Sequence, residues 1–363
     1  MKRFGFLYEN IYERKALRYS HYETSKGLRD NEEVIKFETN LGYNLTLLQR
    51  ELESETYRIS GYKVFFVREP KLRLIMSVPY RDRVVQDSAC RTVLIPIIDR
   101  HLISTNCANR IGMGTHYALN ILQKQMIRLN NQHPGKELYF INGDIKAYFY
   151  SISHARMKRK VRRLIKDPKM LRLTDHFIES GENYGIEEKK RLGVYKPGYG
   201  IPAGLLASQP LSSYYLSDMD HFIKEELKIE HFVRCGDDFR ILHHGKDYLK
   251  MCMEEIKAFL AEEELMLNQK SQVASIKQGI DFLGFKNYLT DDGRVIRKLK
   301  RDNVRKVKKK VKYFSAEYAA GNMELEKIKS SVQGWLGHAR FGNTYRLREN
   351  VLSKLILRRD NNV

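Results

Sequence analysis

The segment HFVRCGDDFRIL, residues 231–242, places two carboxylates between two stretches that are typical of β-strands. Asp237 and Asp238 follow a glycine, and the pattern predicts a β-hairpin with both aspartates at its turn. Adjacent like charges repel, and partial burial further disfavours the charged form of a carboxylate. A chain that folds this way needs a cation against the pair. An ordinary hairpin turn would be the better interpretation if the pair stood alone.

The chain of 363 residues carries 65 Lys and Arg against 44 Asp and Glu, a formal net charge of +21. This surplus indicates a polyanionic partner, with nucleic acid favoured and an anionic membrane surface as the alternative. No apolar run approaches the ~20 residues that span a bilayer, and the N-terminus lacks the apolar core of a signal peptide. The four cysteines are scattered and form no metal-binding pattern. We therefore expect a cytoplasmic protein with reduced thiols that does not enter a membrane.

Hydrophobic periodicity predicts α and β segments in an irregular order. Residues 1–56 have helical spacing, and YKVFFVREPKLRLIMSV predicts two strands around a turn at Pro70. Helical patterns then alternate with the strand KELYFINGDI, the hairpin of residues 231–242, and GIDFLGFKNYL, which predicts another strand pair. Because regular βαβ alternation is missing, the predicted fold class is α+β.

The highest density of positive charge lies near the C-terminus. Residues 294–312 contain eleven Lys or Arg and one Asp. Val304, Val307, Val311 and Phe314 follow helical spacing, so we predict an amphipathic helix with a basic face over this stretch. A solvated face is the alternative, but so many like charges repel unless an anion neutralises them. We therefore favour contact with phosphates.

Five segments occur in the order found in reverse transcriptases. PKLRLI comes first, FINGDIKAYFYSI resembles polymerase motif A, GIPAGLLASQ resembles motif B, RCGDDF resembles motif C, and FLGF resembles the hydrophobic motif that follows. The resemblance covers roughly residues 57–350. It implies a right-hand polymerase fold with an antiparallel palm sheet and a helical thumb. The expected domains are N-terminal helices and fingers at 1–135, a palm at 136–290 with a fingers insertion at about 151–198, and a basic thumb at 291–363.

The resemblance explains the paired carboxylates. Joining a 3′-hydroxyl to an α-phosphate requires a deprotonated nucleophile and a stabilised pyrophosphate, which two divalent ions with hard oxygen ligands provide. The implied cofactor is a pair of Mg²⁺ ions, with Mn²⁺ as a substitute. Asp144 and Asp237 are the implied main ligands, Asp238 is secondary, and Ile145 is included in the metal site. The three aspartates are the implied catalytic residues.

The same resemblance implies a nucleotide site for dNTPs. Phe149 stands where the family keeps an aromatic steric gate, although packing in the core is the alternative for a single aromatic residue. Arg73 matches an arginine that holds the triphosphate, with Lys71 two residues before it, and a solvated strand residue is the alternative for both. Lys270 falls near the position of a lysine that could protonate the pyrophosphate, with an ordinary surface lysine as the alternative. Motif B adds a further three nucleotide-binding residues: Ala203, Gly204 and Gln209.

The template RNA and the RNA–DNA duplex are the implied nucleic-acid partners. The basic C-terminal stretch is expected to follow their backbone by shape rather than by sequence. The expected contacts are Arg297, Lys298, Lys300, Arg301, Arg305, Lys308, Lys309 and Lys312.

Motif B and the C-terminal segment SSVQGWLGHARFGNTYRLR resemble those of diversity-generating retroelement reverse transcriptases. In that family the enzyme misincorporates opposite template adenines, and a small basic accessory protein assists it. Ala203 removes hydrogen-bonding groups from the place where most reverse transcriptases have Gln, so the resemblance implies low fidelity. The chain departs from the family at Ala203, which is smaller than the usual aliphatic residue, and at Cys235, which replaces a Tyr. Both departures put the adenine bias in doubt.

Three other functions stay open at this stage. A retron-like or phage-defence reverse transcriptase would share the chemistry, and its genomic surroundings would differ. An RNA-dependent RNA polymerase would use ribonucleotides efficiently, which the gate at Phe149 argues against. A non-catalytic RNA-binding protein on a polymerase scaffold would not need the three aspartates.

Overall fold

The computed structural model describes residues 3–68 and 72–359. Its N-terminal part is helical, as predicted, and each helix buries an apolar stripe against its neighbours. Four helices precede the first strand: α1 Glu9–Tyr12, α2 Arg14–Ser25, α3 Glu32–Thr39 and α4 Leu41–Glu53. Asn31 caps α3, because its side chain accepts a hydrogen bond from the Glu33 backbone N–H.

An antiparallel strand pair projects next, as the sequence predicts. It consists of β1 Lys63–Val67 and β2 Arg73–Ser77. A long helical segment follows, made of α5 Tyr80–Ala89, a π-helical turn at Cys90–Leu94, α6 Ile95–Ile98, a short 3₁₀ turn at Asp99–His101, and α7 Thr115–Gln132.

A four-stranded antiparallel sheet forms the centre of the molecule. Its strands are β3 Tyr139–Asp144, β4 His231–Cys235, β5 Asp238–His243 and β6 Gln272–Ser275, in the order β4-β5-β3-β6. Alternate residues serve two separate cores. Ile141 and Ile241 pack into one apolar cluster, whereas Phe140 and Leu242 pack into the other. Burial of both faces explains why these strands are almost continuously apolar.

Helices cover the first face of this sheet. Four of them lie between β3 and motif B: α8 Tyr148–Ser151, α9 His154–Leu164, α10 Pro168–Glu179 and α11 Ile186–Arg191. After motif B come α12 Ser208–Tyr215, α13 Ser217–His221, a π-helical turn at Phe222–Glu226, and, after the hairpin, α14 Lys246–Glu262.

A second antiparallel sheet and three helices complete the described chain. The strands are β7 Ile280–Phe282, β8 Phe285–Leu289 and β9 Val295–Leu299, and the helices are α15 Arg301–Ala319, α16 Leu325–Ala339 and α17 Tyr345–Leu352. The prediction of one helix over 294–312 is wrong in its first part, because β9 pairs with β8 and the helix begins at Arg301. The predicted apolar face is correct further on: Val307, Val311 and Phe314 are buried.

The prediction of an α+β fold is confirmed by this mixture of helices and antiparallel sheets. Within the described ranges, every helix is too short or too polar to cross a lipid bilayer.

Candidate active site

The two acidic segments of the sequence meet at one end of the central sheet. Asp144, the last residue of β3, lies directly opposite Asp238, the first residue of β5. Asp237 occupies the turn between β4 and β5, and its carbonyl accepts a hydrogen bond of 3.3 Å from the Ile145 backbone N–H. Directly opposed residues of antiparallel strands project from the same face of the sheet. Asp144 therefore shares one half-buried site with Asp237 and Asp238, which follow it by about ninety residues in the sequence.

Close packing behind the carboxylates fixes this register. Gly143 lies opposite Phe239, and a Cβ atom on Gly143 would come within 2.1 Å of the Phe239 ring. The turn before β6 holds Asp144 from the other side, because the Asn268 side-chain amide donates to Asp144 Oδ2 at 3.0 Å. The Asn268 backbone N–H also donates to the Asp144 carbonyl at 2.7 Å. The motif A aspartate is thus positioned by both of its neighbouring segments.

The carboxylates of Asp144, Asp237 and Asp238 repel one another. Burial raises the pKa of Asp237 above its ordinary value, and the charges of Asp144 and Asp238 raise it further. Burial also raises the pKa of Asp238, although the guanidinium of Arg240 opposes that rise through an ion pair of 2.5 Å. Carboxylates with raised pKa values beside one another are stabilised by a cation bound between them.

The residues fit a divalent-ion site of the polymerase type. Mg²⁺ in such sites uses one or two protein carboxylates and completes its shell with water and substrate phosphates. Asp144 and Asp237 supply two carboxylates that form no ion pair with any other residue in the described ranges. Ile145 offers only its backbone carbonyl, since its side chain is apolar and buried. Over residues 3–68 and 72–359, no group of three or more His, Cys, Asp or Glu side chains is arranged to hold a metal ion, so the protein offers two carboxylates here rather than a complete set of ligands.

The predicted nucleotide residues lie on several elements around these carboxylates. Arg73 begins β2, and its charge partly offsets the raised pKa of Asp237 and that of Tyr150. The Tyr150 hydroxyl in turn accepts a hydrogen bond of 3.3 Å from the Leu74 backbone N–H, which connects β2 to α8. Lys71 lies outside the described residues.

Phe149 sits on α8 within motif A, five residues after Asp144. The helix starts after Ala147, whose φ of 48° lies in the left-handed region. Tyr148 is buried and donates from its hydroxyl to the Ser212 carbonyl, whereas Phe149 is only half-buried at the edge of the core. Of the aromatic residues in this turn, Tyr148 therefore fills the core and Phe149 keeps one side accessible.

Motif B docks against β2. The Ala203 carbonyl accepts a hydrogen bond of 2.8 Å from the Met76 backbone N–H. Gly204 has a φ of +123°, and a Cβ there would lie 2.7 Å from the Met76 carbonyl oxygen, so only glycine fits. Gln209 is exposed and lines an open groove of about 390 Å³ together with Ser77, Arg83 and Gln86. Lys270 is exposed in the turn between Asn268 and Ser271, both of which contact Asp144.

The prediction that Arg297 contacts nucleic acid is wrong. Arg297 is only 4% exposed, because β9 turns it into the protein. Its guanidinium donates to Asn287 Oδ1, to the Phe341 and Leu119 carbonyls, and to Gln123 Oε1, at 2.8–3.2 Å. Lys300 is half-buried and pairs with Asp281 at 3.2 Å. The other six predicted contacts are exposed: Lys298, Arg301, Arg305, Lys308, Lys309 and Lys312.

Reasoning from the sequence did not identify the structural role of two buried arginines in the hairpin of β4 and β5. Arg234 is fully buried and forms an ion pair of 2.6 Å with Asp220, and it donates to the Gly236 carbonyl just before Asp237. On the neighbouring strand β5, Arg240 pairs with Asp238 of the same strand. A signal was present, since an arginine inside an apolar strand must be paired when the strand is buried on both faces.

The site and its sheet define the polymerase class of enzyme. The sheet forms a palm in which the motif A and motif C carboxylates lie at adjacent strand ends. The family model described as reverse transcriptase (RNA-dependent DNA polymerase) matches residues 70–287. The chain therefore belongs to the reverse transcriptase family. The predicted right-hand polymerase fold is confirmed by this membership and by the antiparallel palm sheet.

Two curated relatives and a solved structure are similar to parts of this chain. The group II intron-encoded protein LtrA of Lactococcus lactis subsp. cremoris is 24% identical over 271 residues, covering 71% of this chain and 39% of LtrA. The protein YkfC of Escherichia coli is 25% identical over 191 residues, covering 52% of this chain and 47% of YkfC. The chain thus spans less than half of the length of either relative. A telomerase structure from Candida albicans with a fragment of telomeric RNA aligns at 14% identity and a TM-score of 0.49, over 83% of this chain and 56% of the telomerase chain.

Proposed function

We propose that this chain synthesises DNA on an RNA template by two-metal-ion nucleotidyl transfer. The observation that carries the proposal is the register that sets Asp144 opposite Asp238 while Asp237 accepts a hydrogen bond from Ile145. Two Mg²⁺ ions, with Mn²⁺ as a substitute, would be held by Asp144 and Asp237 with the Ile145 carbonyl. When bound, the ions supply the activation of the primer 3′-hydroxyl and stabilise the leaving pyrophosphate.

The residues around the ions have separate tasks in this proposal. Arg73, with Lys71 beside it, neutralises the triphosphate of the incoming dNTP, and Gly204 and Gln209 border the pocket where it meets the template. Lys270, next to the turn that holds Asp144, donates a proton to the pyrophosphate. The exposed cations of α15 hold the RNA–DNA duplex by its phosphates.

Primer extension on an RNA template with dNTPs and Mg²⁺ tests the proposal. Asp237→Asn and Asp144→Asn should each reduce extension by at least about a thousandfold, because each removes a ligand of the ions. Asp247→Asn is the matched control, since Asp247 is an exposed aspartate on α14 whose side chain contacts Lys250. Extension by Asp237→Asn at the wild-type rate, with RNA binding unchanged, would refute the metal-site assignment.

Discrimination against ribonucleotides tests the steric gate. A ring at position 149 leaves no room for a 2′-hydroxyl, so Phe149→Ala should lower the preference for dNTPs over NTPs by about tenfold to a hundredfold. Phe149→Tyr keeps the ring and should keep the preference. Efficient use of NTPs by the unaltered chain would favour an RNA polymerase instead.

We also propose that synthesis is error-prone, as in diversity-generating retroelements, with a small basic accessory protein as partner. The support is the sequence of motif B and the small side chain of Ala203, which lies on the segment bonded to Met76. Sequencing the cDNA tests this: errors should concentrate opposite template adenines, and Ala203→Gln should reduce them several-fold. Errors spread evenly over the four template bases would contradict the retroelement role without affecting the polymerase assignment.

A further inference from the structure

The cation that lies against the motif C carboxylates is a side chain of the same hairpin. Arg240 stands two residues after Asp238 on β5, so both side chains project from the same face of the strand. The Arg240 Nη1 atom donates to Asp238 Oδ1 at 2.5 Å. Arg240 is only 3% exposed, and a buried guanidinium must have partners for all of its donor groups.

The remaining contacts of Arg240 fix the guanidinium in place. Its Nη1 atom also lies 2.6 Å from the Phe239 carbonyl and 3.4 Å from the Gly143 carbonyl of motif A. Its Nε atom donates to the Asp281 carbonyl of β7 at 2.9 Å, and the group lies 4.9 Å from the centre of the Phe282 ring. Arg240 therefore joins motif C, motif A and the second sheet behind the three carboxylates.

Asp238 thus differs from the two other aspartates of the site. Its carboxylate already has a buried cationic partner, whereas Asp144 and Asp237 have no ion-pair partner among the residues that the structure describes. An oxygen that accepts a short hydrogen bond from a fixed guanidinium is less available to a metal ion. Within the described part of the chain, the geometry leaves the carboxylates of Asp144 and Asp237 without a paired cationic side chain and available to a metal ion.

We propose that Arg240 is a positioning residue that holds Asp238 out of the metal site and cancels its charge, which leaves Asp144 and Asp237 as the only carboxylate ligands. The inference rests on the proposed polymerase function. It assigns Arg240 no contact with substrate, and it predicts that Arg240 and Asp238 act on metal affinity as one pair whose charges cancel.

Direct binding of Mn²⁺, measured by electron paramagnetic resonance without nucleotide or primer, tests the inference independently of activity. Asp238→Asn removes no ligand but leaves the Arg240 charge uncompensated, so it should weaken Mn²⁺ binding by roughly threefold to tenfold. Arg240→Met frees the Asp238 charge and should tighten Mn²⁺ binding by roughly threefold to tenfold. The double variant Asp238→Asn/Arg240→Met should return to the wild-type affinity, and Arg240→Lys should stay close to it.

Each outcome decides the matter. A loss of Mn²⁺ binding in Asp238→Asn as large as that in Asp144→Asn or Asp237→Asn would overturn the inference, and so would a double variant that binds as tightly as Arg240→Met or as weakly as Asp238→Asn. If Arg240→Met does not fold, as thermal melting would show, Asp238→Asn and Arg240→Lys decide alone. Asp144→Asn and Asp237→Asn separate the two proposals: wild-type Mn²⁺ binding in both would refute the metal site itself, whereas a loss in both that is matched by an equal loss in Asp238→Asn would refute only the role of Arg240.

Discussion

Two helices of the molecule, α9 and α15, are both rich in Lys and Arg and differ in their surroundings. The helix α9 has six Lys or Arg among eleven residues, and α15 has seven among nineteen. Five of the six α9 cations pair with acidic side chains: Arg156 with Glu264, Lys158 with Glu179, Lys160 with Asp218 and Glu263, Arg162 with Asp175, and Arg163 with Asp218.

The helix α15 has almost none of this compensation. Among the residues that the structure describes, its single ion pair joins Arg305 to Asp302 at 3.7 Å, and both side chains are exposed. The density of positive charge along a helix therefore does not identify a nucleic-acid surface by itself. What distinguishes the two helices is whether the fold supplies acidic partners, and α15 remains free to neutralise phosphates.

The largest expected effect on stability concerns Lys160 of α9. Lys160 is only 5% exposed; its ammonium group pairs with Asp218 at 2.5 Å and Glu263 at 3.2 Å, and lies 5.3 Å from the centre of the Tyr215 ring. Lys160→Met leaves Glu263 without its ion-pair partner and Asp218 with Arg163 alone, and it should lower the free energy of unfolding by about 3 kcal/mol. Lys308→Met on α15 is the matched control and should change it by less than about 0.5 kcal/mol. Urea unfolding measures both; equal effects would remove the distinction between the helices.

The next effect concerns duplex binding by one stripe of α15. Arg301, Arg305, Lys308 and Lys312 are spaced by four, three and four residues, so they share one face of the helix. Changing all four to Gln should weaken binding of an RNA–DNA duplex about a hundredfold at low salt, and reduce the slope of log affinity against log salt by about 3. Fluorescence anisotropy over a salt series measures this.

A control for that experiment removes the same net charge elsewhere. Four exposed lysines that pair within their own helices serve this purpose: Lys36, Lys190, Lys250 and Lys257. Their replacement by Gln should leave the salt slope nearly unchanged, because they lie on other elements. If both variants lose affinity equally, only the overall charge matters and α15 has no special role.

Two adjacent residues of β9 sharpen the comparison on a smaller scale. Arg297 is buried with four side-chain or carbonyl partners, and Lys298 beside it is exposed. Arg297→Met should cost about 2–3 kcal/mol of unfolding free energy, because it leaves buried acceptors unpaired. Lys298→Met should leave stability within about 0.5 kcal/mol and reduce the salt slope of duplex binding by at most about 1. The reverse assignment of effects would contradict the orientation of β9.

The same contrast shows which features could be predicted from the sequence. The three aspartates, motif B and most helices and strands follow from local patterns and motif order, since periodicity and turn residues are local properties. The partners of α9 and the burial of Arg297 could not be predicted, because their contacts come from residues 10 to 178 positions away. The strand β9 is not recognisable from the sequence pattern, because its apolar residues Val295 and Leu299 stand in a stretch dominated by eleven cations.

The smallest expected effect is a pH dependence of opposite sign in two carboxylates. Burial raises the pKa of Asp218, but hydrogen bonds from Arg163 and Lys160 outweigh it and the net shift is downward. The ionised Asp218 therefore adds stability above its ordinary unfolded value of about 3.9, and this stability is lost as the pH falls through the lower folded value. Burial and the charges of Asp144 and Asp238 raise the pKa of Asp237, so its ionised form costs stability once the pH exceeds that raised value.

Thermal melting of the metal-free protein between pH 4 and 8 separates these two signs. Asp218→Asn should lower the melting temperature throughout this range, with a shrinking loss only near pH 4. Asp237→Asn should raise it by a few degrees at pH 8, a gain on the order of 1 kcal/mol that disappears as the pH falls through the raised pKa of Asp237. Addition of Mg²⁺ should stabilise the wild type and not Asp237→Asn, because the ion binds the folded protein through the Asp237 carboxylate and offsets the repulsion there. If Asp237→Asn melted below the wild type at pH 8 without metal, the Asp237 carboxylate would be compensated as the Asp218 carboxylate is. The site and the ion pairs of α9 would then not differ in this respect.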